Sequence, residues 1–150
     1  MKLRILVKIV EKLLGITVSD GEPRADMFLP ERGLAIGVVL LAGGIACALY
    51  AVFAFAIWAV LGAALGIVLG VFALLCWRNQ TIRVISDEEF TYTTMFGNTY
   101  TYAFSDIQGL RKNQDSMTLF VGQNKVHIES NAVMTKQLVD KINEALKQCA

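Results

Sequence analysis

The chain has 150 residues, enough for one domain of ordinary size with attachments. Hydrophobic residues make up 55% of it and the mean hydropathy is +0.50, which argues against an ordinary soluble domain and for a membrane protein. The net charge of +1 gives the whole chain no electrostatic footprint for nucleic acid, so nucleic acid is not an expected partner.

Residues 1–15 open with MKLRILVKIVEKLL. Arg4, Lys8, Glu11 and Lys12 share one face of a helical wheel, and Leu3, Leu6, Ile9, Val10, Leu13 and Leu14 cover much of the rest. This pattern predicts an amphipathic helix, too short to span a bilayer. Lys8 breaks the apolar run and no small-residue cleavage site follows, so the segment is expected to stay in the mature protein, not to act as a signal peptide. It lies either in a membrane interface, with Lys2, Arg4, Lys8 and Lys12 near anionic headgroups, or on the protein's own soluble domain. Residues 16–32, with Gly21, Pro23 and Pro30, lack periodicity and read as a linker.

Residues 33–77 contain no Asp, Glu, Lys, Arg or His. A helix rises roughly 1.5 Å per residue and a bilayer core is about 30 Å thick, so this run overshoots one span and fits two. The expected helices are Leu34 to Val52 and Ile57 to Trp77, joined through Ala54–Ala56. Tyr50 and Trp58, with Phe53 and Phe55, would form an aromatic belt at the turn. Trp77 and Arg78 would anchor one outer end and Arg32 the other. All 14 Lys and Arg residues lie outside the run, which predicts cytoplasmic N- and C-termini for a multi-pass cell-membrane protein. Gly62, Gly66 and Gly70 recur every fourth residue. Glycine costs about 1 kcal/mol against alanine in a helix, so a close neighbour is expected on that face. Gly37 and Gly44, with Ala48, Ala42 and Ala46, offer the small partners that tight packing in lipid needs. That face either closes the hairpin or receives another membrane protein.

From Thr81 to Glu129 the period changes to two. TIRVI, EFTYTTMF, TYTYAF, Ile107 to Lys112, MTLFVG and KVHIE read as six antiparallel strands in a meander. Gly97–Asn98 reads as a two-residue turn with Gly97 at positive φ. Leu138, Val139, Ile142, Ala145 and Leu146 then form one stripe of a C-terminal helix, capped by Asn131 or Thr135 and laid over the open end of the sheet.

Two spans, a short WRNQ junction and FTYTTMFGNTYTYAFSDIQGL together resemble the bacterial pleckstrin-homology (PH)-like domains that are joined to a membrane hairpin. The resemblance covers Asn79 to Gln148 and the placement of the hairpin. Its most specific piece is the FGN turn followed by YAFSDI, with Phe104 filling the core and Ser105–Asp106 starting a turn. It implies an α+β membrane protein: a two-helix transmembrane hairpin, then a PH-like antiparallel β-barrel or sandwich over 79–150 capped by one α-helix. PH domains have seven strands, against six legible here. Those that hold phosphoinositides have a basic first hairpin loop, whereas the matching SDEE, Ser86 to Glu89, is acidic. Scaffold or assembly roles are therefore implied, and phosphoinositide binding is not carried over.

No residue set points to an enzyme. His127 is the only histidine and alternates outward, no nucleophile-elbow spacing exists, and GAALG lacks the lysine of a phosphate loop. Cys47, Cys76 and Cys149 have no metal or disulfide spacing and are expected to pack as small apolar residues. No catalytic residue, metal or cofactor is expected. Asp87, Glu88 and Glu89 read as a solvated turn, and Tyr92, Tyr100 and Tyr102 as cross-strand packing. The leading expectation is a membrane-anchored cytoplasmic module that binds a protein partner or itself. The alternatives are an accessory subunit of a transport or export complex, docked through the glycine face, and an anionic-lipid sensor using the first helix with Arg111 and Lys112.

Overall fold

The computed structural model describes residues 25–149, so the expected N-terminal helix lies outside the described residues. Glu31–Trp77 forms one compact unit, and residues 25–30 with 78–149 form another.

In the first unit, α1 (Glu31–Ala54) and α2 (Ile57–Asn79) are joined by Phe55 and Ala56. Glu31 stands in the first turn of α1, where the helix dipole favours a negative charge. Both helices are long and apolar enough to cross a membrane. They are apolar on every side: Val39, Leu49, Val52, Leu61, Leu65 and Leu69 are all exposed. Phe55 ends α1 in the left-handed region at φ 51°, and its N–H still donates to the Ala51 carbonyl at 3.0 Å. Non-glycine residues rarely adopt that conformation outside caps and tight turns.

The second unit has two antiparallel sheets and one helix. The first sheet runs β4-β3-β2-β1-β8, from β1 (Met27–Phe28), β2 (Thr81–Val84), β3 (Glu89–Thr93), β4 (Thr99–Ala103) and β8 (Val133–Met134). The second runs β5-β6-β7, from β5 (Ile107–Lys112), β6 (Ser116–Val121) and β7 (Asn124–Glu129). Alternation places Ile82, Phe90, Leu119, Val121, Val126 and Ile128 in one core. Helix α3 (Lys136–Cys149) covers it with Leu138, Ile142 and Ala145. Of the two expected caps, Thr135 fills the role: the Leu138 N–H donates to its Oγ1 at 3.4 Å.

Three expectations need correction. The six strands are not one meander, and no barrel closes. A single 3₁₀ turn, Phe104–Asp106, follows β4, and β5 starts a separate sheet instead of pairing with it. The β3–β4 turn is longer than two residues. The Thr94 N–H donates to the Asn98 carbonyl at 2.8 Å and the Gly97 N–H to the Thr94 carbonyl at 2.9 Å. Three residues thus form the loop, and its last, Gly97, takes φ +86°, the usual place for glycine in such a connection.

The third correction concerns residues 16–32, which are not linker throughout. Met27 pairs with Ile82 on one side and Met134 on the other, and it is fully buried. Asp26 fastens this short strand. Its Oδ2 accepts the Val84 N–H at 2.8 Å and its Oδ1 the Thr135 hydroxyl at 2.9 Å, while its carbonyl accepts the Thr135 N–H at 2.7 Å.

Candidate functional site

Close approach of α1 and α2 is written in the glycines. A Cβ built on Gly44 would stand 2.6 Å from the Ile67 nitrogen, and one on Gly66 2.8 Å from the Gly44 Cα. On Gly70 it would meet the Leu41 nitrogen at 2.7 Å, and on Gly37 the Leu74 Cδ2 at 2.9 Å. At Gly44, Gly66 and Gly70 the atoms met are backbone, which no real side chain tolerates at such distances, so main chain lies on main chain there, whereas Gly37 faces the Leu74 side chain. Gly62 differs: its Cβ would sit 3.7 Å from the Cys47 sulfur, an ordinary contact. Leu41, Ile67 and Leu74 complete the seam. Glycine spacing marks where a neighbour must sit but not which side chains flank it, so these three were not legible. Ala42 and Ala46 lie on the exposed side of α1.

At the turn end of the hairpin Tyr50, Phe53, Phe55 and Trp58 are strongly exposed. At the other end Arg32 and Arg78 are exposed but Trp77 is only 2% so. Trp77 is thus a packing residue, not a surface anchor. A Cβ on Gly33 would meet the Trp77 Cδ1 at 3.8 Å, an ordinary contact.

In the sheet unit, the WRNQ junction is tied down by side chains that the pattern did not single out. Asn79 donates from Nδ2 to the Met95 carbonyl at 2.8 Å. Gln80, buried, donates from Nε2 to the His127 carbonyl at 3.2 Å. Register places Arg111, Thr118 and His127 in one row across β5, β6 and β7. Lys125 lies on the same face, its Nζ 5.8 Å from the Phe120 ring centre. Lys112 is exposed too, but it follows Arg111 directly on the strand and so takes the opposite face. Lys2, Arg4, Lys8 and Lys12 lie outside the described residues. His127 stands 3.8 Å from Glu129, both half exposed.

The acidic loop of Asp87, Glu88 and Glu89 lines one wall of a half-open cavity of about 550 Å³, with Phe104, Lys141 and Glu144 opposite. Lys141 donates to Asp87 Oδ1 at 2.9 Å. That hydrogen bond raises the lysine pKa above its ordinary value, partial desolvation opposing it. Among the described residues, no group of three or more His, Cys, Asp or Glu is placed to hold a metal ion.

The aromatic cluster is a packing device. Tyr92 lies opposite Tyr100, and Phe90 opposite Tyr102. Phe90 holds the Tyr102 ring at 5.8 Å and the Phe104 ring at 4.9 Å. Burial, with Tyr100 nearby, raises the Tyr102 pKa. Tyr100 stands at the rim, stacked on Tyr102 at 6.4 Å with nearly half of its surface exposed.

Among protein families, the model described as a family of unknown function (DUF6560) matches residues 27–146. No curated protein and no solved structure matches the chain.

Proposed function

The chain belongs to the DUF6560 family, and from that premise we propose that it is a membrane-anchored, non-catalytic module. The helical hairpin spans the bilayer twice and holds a PH-like domain at the cytoplasmic face, where that domain binds a protein partner or assembles with itself. The observation that carries this reading is the pairing of Met27 with Ile82. Strand β1 ends shortly before α1 and β2 begins shortly after α2. Both outer ends of an apolar hairpin therefore return to one sheet, as a double span requires and a single span forbids.

Other features support the same reading. Helices that are apolar all round and not buried suit lipid. Counting β1, four strands precede the 3₁₀ turn, and β5, β6, β7 and the two-residue β8 follow it before the capping helix; two antiparallel sheets under one C-terminal helix support a PH-like domain. The hairpin is then an insertion between the first and second strands. SDEE becomes the loop after the second strand, not the first. The accessory-subunit reading used the glycine face as a docking surface. In the hairpin that face lies against α1, and this favours assembly through the sheet unit. The row of Arg111 and His127 beside Lys125 keeps an anionic-lipid sensor as a second reading. It predicts vesicle binding that falls with salt.

The test is purification of the full chain from crosslinked membranes in mild detergent. The proposal expects a retained partner or a multimer. A strictly monomeric chain with nothing retained would overturn it.

A further inference from the structure

An exposed sheet edge is a hazard that proteins blunt with charge, bulges or shortness. Among the described residues, the two sheets end in four outer strands: β4 and β8 in one, β5 and β7 in the other. Three of these carry such protection. Strand β8 is two residues long. Strand β5 carries Arg111 and Lys112 and a register shift between Ile107 and Gly109. Strand β7 carries Lys125, His127 and Glu129. Strand β4, TYTYA, has none: five residues, with no charge, proline or bulge.

Its hydrogen-bonding phase is also defined. The Phe104 N–H donates to the Glu88 carbonyl, and the Thr94 N–H to the Asn98 carbonyl. Antiparallel ladders alternate. Continuing the register between these points, Tyr100 and Tyr102 bond inward to β3, while the main-chain groups of Thr99, Thr101 and Ala103 face the free edge.

We propose that β4 is a self-association edge at which a second copy of this chain pairs antiparallel about Thr101, joining two five-stranded sheets into one. In that register Thr101 exchanges both main-chain bonds with its counterpart, and Thr99 does so with Ala103. Tyr100 falls opposite Tyr102 of the other copy in the narrow, non-hydrogen-bonded position, where aromatic side chains contact best. The half-exposed Tyr100 ring is thereby covered and the tyrosine row continues across the two-fold axis. No charge meets its own copy in this register, because β4 carries none. The proposal rests on the anchored-module reading, because anchoring raises the effective concentration at which a short edge pairs.

The experiment uses the full chain in membranes, with Cys47, Cys76 and Cys149 replaced by alanine. Thr101→Cys places two thiols at a pair whose Cα atoms are about 5.5 Å apart, within disulfide reach. Thr118→Cys, at the centre of the other sheet, is the control. Mild oxidation is expected to give a covalent dimer with Thr101→Cys and none with Thr118→Cys. Thr101→Lys, exposed and so compatible with the fold, is expected to abolish the multimer seen by crosslinking. No dimer from Thr101→Cys, or equal dimer from both positions, overturns the edge. A multimer that survives Thr101→Lys also overturns the edge while leaving the assembly reading intact. A monomer holding a different protein replaces the second copy as occupant and overturns this proposal alone.

Discussion

Gly43 and Gly44 are adjacent in α1 and meet opposite surroundings. A Cβ on Gly44 runs into the backbone at Ile67, and one on Gly43 meets nothing within 4 Å. Gly44→Ala should therefore destabilise the hairpin by about 1–3 kcal/mol, the range for overpacking. Gly43→Ala should be neutral or stabilising, as alanine is the better helix former. Unfolding of both variants in detergent separates the two outcomes. Lys141 gives a second check. Its folded-state pKa is raised, so its contact with Asp87 contributes fully below the lysine reference value of about 10.4 and fades only as pH rises through the folded value. Melting curves of Lys141→Met and the parent should thus keep a constant offset from pH 7 to 9 and converge only in strong base. The glycine seam was legible because period-four spacing in an uncharged run has few other causes. Phe55 was not, since nothing in its chemistry announces a left-handed backbone. Trp77 misled because tryptophan beside arginine at the end of an apolar run reads alike whether the ring is buried or exposed.

Strand β1 is the element that organises the sheet unit, and its effect is measurable. Asp26→Ala removes two hydrogen bonds to a carboxylate and should cost about 1–3 kcal/mol. Met27→Ala, at a fully buried position, should cost about 2–5 kcal/mol. A fragment that joins residues 25–30 to 78–149 through a short Gly/Ser linker should fold cooperatively in urea titration. Residues 78–149 alone should unfold at clearly lower urea, with β8 left unpaired and β2 held by β3 alone. The six longer strands and α3 were readable from period-two and helical stripes. Two-residue strands have no period to read, and Met27 finds Ile82 only after the whole hairpin intervenes. The split into two sheets was hidden for a similar reason: FSD reads as a turn in either topology, and which edge the chain leaves free is decided by packing on Phe104 and α3.

At the scale of the whole molecule, charge and connectivity agree. All 14 Lys and Arg residues flank the apolar run, and the strands on either side of that run pair with each other. The account therefore requires two crossings with the sheet unit in the cytosol. The most direct test places single cysteines in a chain whose own three are alanine, one at Ala56 in the helical turn and one at Ser86 in the exposed β2–β3 loop. A membrane-impermeant maleimide applied to intact cells should label Ala56→Cys, and should label Ser86→Cys only after permeabilisation. Labelling of both from the same side, or of Ser86→Cys in intact cells, would contradict the account.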